Sequence, residues 1–395
     1  MKKTVGMMTS EESFLNNYGA ALQGYALQKV IRELGFSPKI IRYNGYAPKR
    51  KFGFIKDVIK KILGIKRGVV SKEQQKRNEE LKEILNSHQK EIDSRTKYFS
   101  EFQNDLIDFY SDERFTWETL QKRPPKFDVY VCGSDQIWNP VFHGGICDRG
   151  YFLDFAPIGK KRIAYAPSLG VDYIPESCAR EMKELIAKMF AVSVREEKGA
   201  ELLTELVGKK INSVLDPTLL LDKKVWLEIS KIPSDLPKDY ILCYRFSDND
   251  KMLNVVKEIS KKTGLPVVSL PLTAVSMNDP FINVFNAGPR EFIGLIKNAK
   301  LVLTDSFHAT VFSFLMDTPF LTFMREQYVN GKNSMNSRVV SLLEKVNLLE
   351  RIVAKMEDIN YETLFYSDYS VGKQKILLDK EDSINYLKTA LERDS

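Results

Sequence analysis

LVLTDSFHATVFSFLMDTPFL, residues 301–321, decides the fold. A short apolar run, Leu301–Thr304, ends in Asp305 and Ser306, and an apolar helical pattern starts at once. A second apolar run, Phe320–Phe323, follows that pattern. Strand, helix, strand in so few residues is the unit of a parallel α/β sheet. Ser306 has the chemistry of a helix N-cap. Free backbone N–H groups at such a helix start favour an anion. His308 falls in the first turn, where an imidazole donates to a phosphate or passes a proton near neutral pH. The competing reading is a capping serine with a histidine that only packs beside it.

The same alternation extends in both directions. Upstream, strands are expected at Thr4–Met8, Pro38–Tyr43, Asp128–Cys132, Arg162–Ala166, Ala191–Val194 and Ser213–Leu215. A helix is expected from Gly19 to Leu34, stopped by Gly35, with others centred on Lys183 and Leu203. Lys231–Asp239, KIPSDLPKD, carries two prolines and no apolar periodicity, and reads as a linker. Beyond it come strands at Tyr240–Tyr244 and Pro266–Leu270, the 301–323 unit, and helices near Val256, Phe292, Phe312 and Leu342. The expected organisation is an N-terminal Rossmann-like domain over 1–230, the linker 231–239, a C-terminal Rossmann-like domain over 240–372, and a helical tail over 373–395. There is no internal repeat.

Residues 49–125 interrupt the first domain. Lys49–Arg67 holds eight basic residues and one acid. Its apolar residues Ile55, Val58, Ile59, Ile62 and Leu63 share one helix face. This pattern fits a basic amphipathic helix on an anionic membrane surface, or a helix packed on its own domain with a solvated lysine face. Ser71–Tyr98 reads as a solvated polar helix, with His88 exposed on it.

Bulk properties narrow the function. The chain has 395 residues, 43% of them hydrophobic, enough for two or three folded cores. No apolar run reaches 18 residues, and the polar N-terminus lacks a signal-peptide core, so a cytoplasmic protein is expected. Four scattered cysteines and three histidines, with no C-x-x-C, argue against a zinc cluster or a disulfide framework. A net charge of +7 fits an acidic ligand or an anionic membrane surface and is too small by itself to imply nucleic acid. The G-x-G-x-x-G, Walker A, H-E-x-x-H and G-x-S-x-G signatures are missing. Asp248-Asn249-Asp250 is a D-x-D, read here as a capping turn rather than a metal motif.

Polar motifs follow several expected strand ends: Asn16-Asn17-Tyr18-Gly19, Gly133-Ser134-Asp135-Gln136, Arg195-Glu196, Asp216-Pro217 and Asp305-Ser306-Phe307-His308. In open α/β sheets ligands bind outside those ends, so a cleft between two sheets would collect all five motifs. Arg195 is the candidate for gripping a carboxylate or phosphate through its planar fork, against a plain salt bridge to a neighbouring glutamate. Arg338 and Arg245 are further candidate cations. Asp135, Gln136 and Asn139 surround Trp138 in GSDQIWNP, 133–140; amides and a carboxylate beside an aromatic ring suit a sugar, and equally a buried turn with a structural tryptophan. Asn17 and Gln23 sit where the first helix begins, and Gly19 permits close approach there.

Together these motifs resemble the polysaccharide pyruvyl transferase family. The resemblance runs from about Val5 to Leu349 and is carried by NNYGAALQGYALQ (16–28), GSDQIWNP (133–140), RIAYAPSLGV (162–171), SVRE (193–196), VLDPTLLL (214–221), TDSFHATVFS (304–313) and NSRVVSLLEKVNL (336–348). It implies a GT-B-like pair of Rossmann-type domains with the active site between them. It also implies transfer of the enolpyruvyl group of phosphoenolpyruvate to two sugar hydroxyls as a cyclic ketal, with release of phosphate. The family's catalytic His maps to His308 and its donor-binding Arg to Arg195. The family's pattern has an Arg-Leu pair just before the His, where this chain has Ser306 and Phe307. Either Arg338 or Arg245 supplies that cation, or the donor differs.

On this reading His308 is the acid that protonates the methylene carbon, and Asp135 orients or deprotonates the acceptor hydroxyl. Arg195, Ser306, Arg338 and Arg245 bind the donor, and Asn17, Gln23, Gln136, Trp138 and Asn139 bind the acceptor. Phosphoenolpyruvate is a co-substrate, and no metal or other cofactor is expected. The acceptor is a saccharide of the cell surface or its lipid-linked precursor. Alternatives are a GT-B glycosyltransferase using a nucleotide sugar, and a non-catalytic membrane-associated partner in glycan assembly.

Overall fold

The computed structural model describes residues 2–45, 72–246, 250–325, 328–329, 332–333 and 336–393 except 355. The basic stretch 49–67, and Asp248-Asn249 of the D-x-D, lie outside the described residues.

Two six-stranded sheets, all of whose pairings are parallel, form the two halves of the molecule. The first contains β1 (Thr4–Met8), β2 (Ser37–Ile40), β3 (Val129–Cys132), β4 (Lys161–Ala164), β5 (Ala191–Val194) and β6 (Asn212–Ser213). Their order is β2-β1-β3-β4-β5-β6. A parallel bridge from Ile40 to Phe109 marks a further vestigial strand beyond β2. The second sheet contains β7 (Ile241–Tyr244), β8 (Val267–Ser269), β9 (Ile282–Asn283), β10 (Leu301–Thr304) and β11 (Phe320–Phe323). After a separate antiparallel hairpin, β12 (Tyr328–Val329) and β13 (Lys332–Asn333), it closes with β14 (Ile352–Val353). The order is β14-β11-β10-β7-β8-β9. In each sheet the chain first winds one way and then the other, which opens a crevice at the switch point, between β1 and β3 and between β7 and β10. Register sets Met8 beside Cys132 and Thr304 beside Tyr244, so the loops at each crevice leave their sheet at one edge. This is the pair of Rossmann-like halves expected from the alternation, in the GT-B-like arrangement that the family resemblance implies.

Strand ends differ from expectation where backbone geometry intervenes. β4 stops at Ala164 rather than Ala166, because Ala166 takes a left-handed conformation with φ of 55°. β9 and β14 gave no sequence signal; two residues are too few to show a period.

One hydrophobic core joins the halves. Tyr18, from the helix Tyr18–Glu33 after β1, stacks on Phe292 of the second half at 4.7 Å. Its hydroxyl donates to the Ala287 carbonyl at 2.9 Å. Such a stacked pair contributes about 0.5–1.5 kcal/mol beyond the area it buries. Trp226 meets Phe312 edge-on at 4.9 Å.

The polar stretch expected to be solvated forms two helices, Lys72–Ser87 and Gln89–Leu106, and the second reaches across to the other half. Its Phe99 is fully buried against Tyr18, Ser94 hydrogen-bonds Asn286 at 2.7 Å, and Arg290 pairs with Asp105 at 2.9 Å. His88, at the break, stacks on Phe285 instead of facing solvent. The final helix, Ser370–Glu392, crosses in the opposite sense. It leaves the second half, where Lys373 pairs with Asp317, and ends on the first, where Lys161 Nζ donates to the carbonyls of Ala390, Leu391 and Arg393 at its C-terminus. Among the described residues no helix is long and apolar enough to cross a membrane.

Candidate active site

The two crevices face each other, and Asp216 stands at their junction. It follows β6 and caps the short helix Pro217–Leu220 through Oδ1, which accepts from the Thr218 amide at 2.9 Å and the Thr218 hydroxyl at 2.6 Å. That leaves Oδ2 for the cleft. Arg195 Nη1, at the end of β5, donates to it at 2.7 Å. His308 Nε2, from the other half, lies 3.6 Å away, too far for a direct hydrogen bond but within ion-pair range. Burial opposes ionisation of Asp216, but His308 and the Arg195 charge outweigh it and hold the carboxyl well below the usual carboxylate range. Arg195 is itself fully buried, which would lower it, and Asp216, Asp135 and Glu196 together raise it.

His308 is set by packing from both sides. Ser306 caps the helix Phe307–Met316, its Oγ accepting from the Ala309 amide at 3.4 Å. Across the interface Gly19 leaves room for the ring, since a Cβ there would fall 2.0 Å from His308 Nδ1. The first-helix motif and the histidine motif thus meet at one contact.

Phe307 lies near two cations. Its ring lies 4.8 Å from the Arg195 guanidinium and 5.6 Å from that of Arg338. Arg338, in the helix Ser337–Lys345, is 7% exposed, and its Nε has no hydrogen-bond partner. Burial, then the neighbouring Arg195 charge, pulls it down to about 9. A guanidinium so placed needs an anion. Arg195 Nε and Nη2 and His308 Nε2 are likewise buried without hydrogen-bond partners. Phe307, Arg338, Arg195, Glu196 and Asp216 line a cleft of about 400 Å³, part of it open to solvent.

The other sequence candidates sort into neighbours and supports. Asp135 is near the centre, with Oδ1 3.8 Å from Arg195 Nη2 and Oδ2 accepting from Ser10 Oγ at 3.1 Å. Gln136 is partly exposed and accepts from Asn139 Nδ2 at 2.8 Å. Asn17 caps the first helix, accepting from the Ala20 amide at 3.1 Å, and remains partly exposed.

Four expectations are corrected. Arg245 is held by Asp279 through Nε at 3.1 Å and Nη2 at 2.9 Å, both side chains buried, so its charge is spent within its own half. Trp138 is 1% exposed, stacks on Phe152 at 4.5 Å and donates to the Tyr151 carbonyl at 3.1 Å; its ring has no face for a sugar. Gln23 is fully buried and ties Thr9, Ala20 and the Ser134 amide together, bracing the loops after β1 and β3. Asn139 is also buried, its amide spent on Gln136 and on the Val141 N–H. Ser306 caps its helix, and its own N–H donates to Thr304 Oγ1 at 3.0 Å. The central residue the sequence reading did not assign is Asp216. Asp216-Pro217 is one of the five motifs expected at the cleft, and its distant partners, Arg195, His308 and the Ser134 hydroxyl at 3.4 Å, show the use of its carboxylate.

The sequence matches the polysaccharide pyruvyl transferase family over residues 17–327. No curated protein matches it. Among solved structures, it is similar to the UDP-GlcNAc 2-epimerase of Methanocaldococcus jannaschii at 15% identity, covering 96% of this chain and 99% of that one with a TM-score of 0.46. It is similar to the Neisseria meningitidis UDP-GlcNAc 2-epimerase at 13% identity, covering 98% and 99% with a TM-score of 0.47. For the Thermobaculum terrenum O-GlcNAc transferase the values are 11%, 100% and 64%, with a TM-score of 0.40. With the family match spanning most of the chain, and both its histidine and its arginine motifs at the one cleft, the chain belongs to the polysaccharide pyruvyl transferase family, and is a transferase.

Proposed function

We propose that the chain transfers the enolpyruvyl group of phosphoenolpyruvate to two hydroxyls of a saccharide, a cell-surface polysaccharide or its lipid-linked precursor, forming a cyclic ketal and releasing phosphate. The observation that carries this reading is the convergence of Arg195 and His308, from different halves, on Asp216, beside the buried Arg338, whose Nε has no hydrogen-bond partner. A donor bearing a phosphate and a carboxylate needs two cationic sites, and Arg195 and Arg338, both near the Phe307 ring, supply them. His308 protonates the methylene carbon, which becomes the methyl group. The ionised Asp216 supplies the counter-charge for a ring that carries a proton. One hydroxyl then adds to the central carbon, the phosphate leaves, and the second hydroxyl closes the ketal. Asp135, 3.8 Å from Arg195, orients the acceptor. No cofactor takes part. The protein works at the cytoplasmic face, with 49–67 as a peripheral contact to anionic lipid, a part of the proposal that rests on sequence pattern alone.

The test is phosphate release from phosphoenolpyruvate across a panel of free and lipid-linked saccharides, with nucleotide sugars as the control donors. Proton transfer of this kind is worth ~10²–10⁴-fold, so His308→Ala and His308→Gln should both lose turnover by about that factor while keeping donor affinity. Wild-type turnover in His308→Gln, or turnover with nucleotide sugars alone, would sink the reading.

A further inference from the structure

Ketal formation requires a base for the attacking hydroxyl, and Arg195, Asp216 and His308 do not supply one. Asp216 Oδ2 is committed to Arg195, and its other oxygen to Thr218. Glu196 is different. It occupies the N-cap position of the helix Glu197–Val207, yet its side chain makes no capping hydrogen bond. The carboxylate turns instead to the loop after β4. There Oε1 accepts from Ser168 Oγ at 2.9 Å, the Leu169 amide at 2.9 Å and the Gly170 amide at 3.0 Å. Three donors on one oxygen fix the plane and rotation of the group. The other oxygen, Oε2, is buried with no hydrogen-bond partner, in a residue 3% exposed that lines the cleft with Phe307 and Arg338. The nearest cation is Arg195 Nε, 4.0 Å away and also without a hydrogen-bond partner.

A buried carboxylate oxygen with no donor is costly, and its retention in a cleft points to a donor that arrives with the ligand. We infer that Glu196 is the catalytic base of the reaction, Oε2 taking the proton of the acceptor hydroxyl as that hydroxyl attacks the donor. This rests on the pyruvyl-transfer reading. His308 gives its proton to the methylene carbon. The hydroxyl oxygen forms its bond to the central carbon while its proton passes to Glu196 Oε2. The carbon–oxygen bond to phosphate then breaks, phosphate leaves with the proton of the second hydroxyl, and that hydroxyl's oxygen forms the second bond. Solvent returns the proton from Glu196 to His308. Asp135 is left as a positioning residue, since its Oδ2 already accepts from Ser10.

Glu196→Gln keeps an acceptor for the three donors on Oε1 and removes only the base. Phosphate release with phosphoenolpyruvate and an accepted saccharide should fall by ~10²–10⁴-fold in kcat. Phosphoenolpyruvate affinity by calorimetry should stay within about threefold of wild type, since a base acts in the transition state and not on the bound donor. The acidic limb of the kcat–pH profile should vanish in Glu196→Gln and persist in Asp135→Asn. If Glu196→Gln does not fold, Glu196→Asp replaces it: a retained carboxylate must keep the acidic limb at reduced kcat, and its loss overturns the assignment. Near-wild-type kcat in Glu196→Gln with the limb intact overturns the assignment alone. Absence of phosphate release by the wild-type enzyme overturns pyruvyl transfer and the assignment with it.

Discussion

Replacing Asp216 by Asn tests whether the site is organised by one charge. The side chain keeps its size, and its carbonyl still accepts from Thr218. The new amide then faces the Arg195 guanidinium, which now donates to Oδ2 at 2.7 Å, so donor meets donor. Arg195 has a side-chain exposure of 2% and cannot turn to water. Its other carboxylates, Asp135 and Glu196, stand at 3.8 and 4.0 Å, beyond hydrogen-bond range. Breaking one partner of a buried pair costs about 3–5 kcal/mol, because a buried charge is left uncompensated. Unfolding of Asp216→Asn in urea should show a loss of that size at pH 7. The pH dependence follows from the same carboxyl. Its folded value lies well below its unfolded one, so its contribution is complete above the unfolded value of ~3.9 and is lost as pH falls through the folded value. The gap between wild type and variant should therefore be level from pH 7 to about 5 and shrink below about 4. A variant within about 1 kcal/mol of wild type at pH 7, or a gap that closes already between pH 7 and 5, would refute a charge-centred site.

Gly19→Ala should cost ~10²-fold in turnover with little change in fold, because its Cβ would fall 2.0 Å from His308 Nδ1 and the ring must move; calorimetry should show donor binding retained. Arg338→Met should leave the ligand-free protein as stable or more stable, since an unpaired buried cation is removed, while abolishing the thermal stabilisation given by inorganic phosphate. Arg245→Ala should do the reverse: a stability loss of about 3–5 kcal/mol from a stranded Asp279, and an unchanged affinity of the folded protein for phosphoenolpyruvate.

Much of the fold was legible in order along the chain. Buried parallel strands are short apolar runs, and 301–323 shows strand, cap, helix and strand within one stretch. The cleft was legible too, because polar residues after such runs collect at one sheet edge whatever the details of packing. Arg195 and His308 are singled out on that rule, and Arg338 as a cation that opens a helix. What the rule does not reach is who meets whom. Arg245 and Arg338 look equivalent in sequence, each a cation near an element end. One meets Asp279 and the other meets no carboxylate at hydrogen-bond distance, and that depends on where the loop after β8 folds back. Trp138 among amides reads as a sugar platform until Phe152 covers its ring. The helix Gln89–Leu106 reads as solvated because its few apolar residues declare no partner, and the partner, Tyr18 with Phe292, is assembled from two other segments. Local patterning determined the elements and the edge where chemistry sits, since hydrophobic period and capping act over a few residues. Tertiary structure decided the pairing of charges and the placing of rings, since an ion pair or a stacked ring is set by strand order and helix docking between residues far apart in the chain.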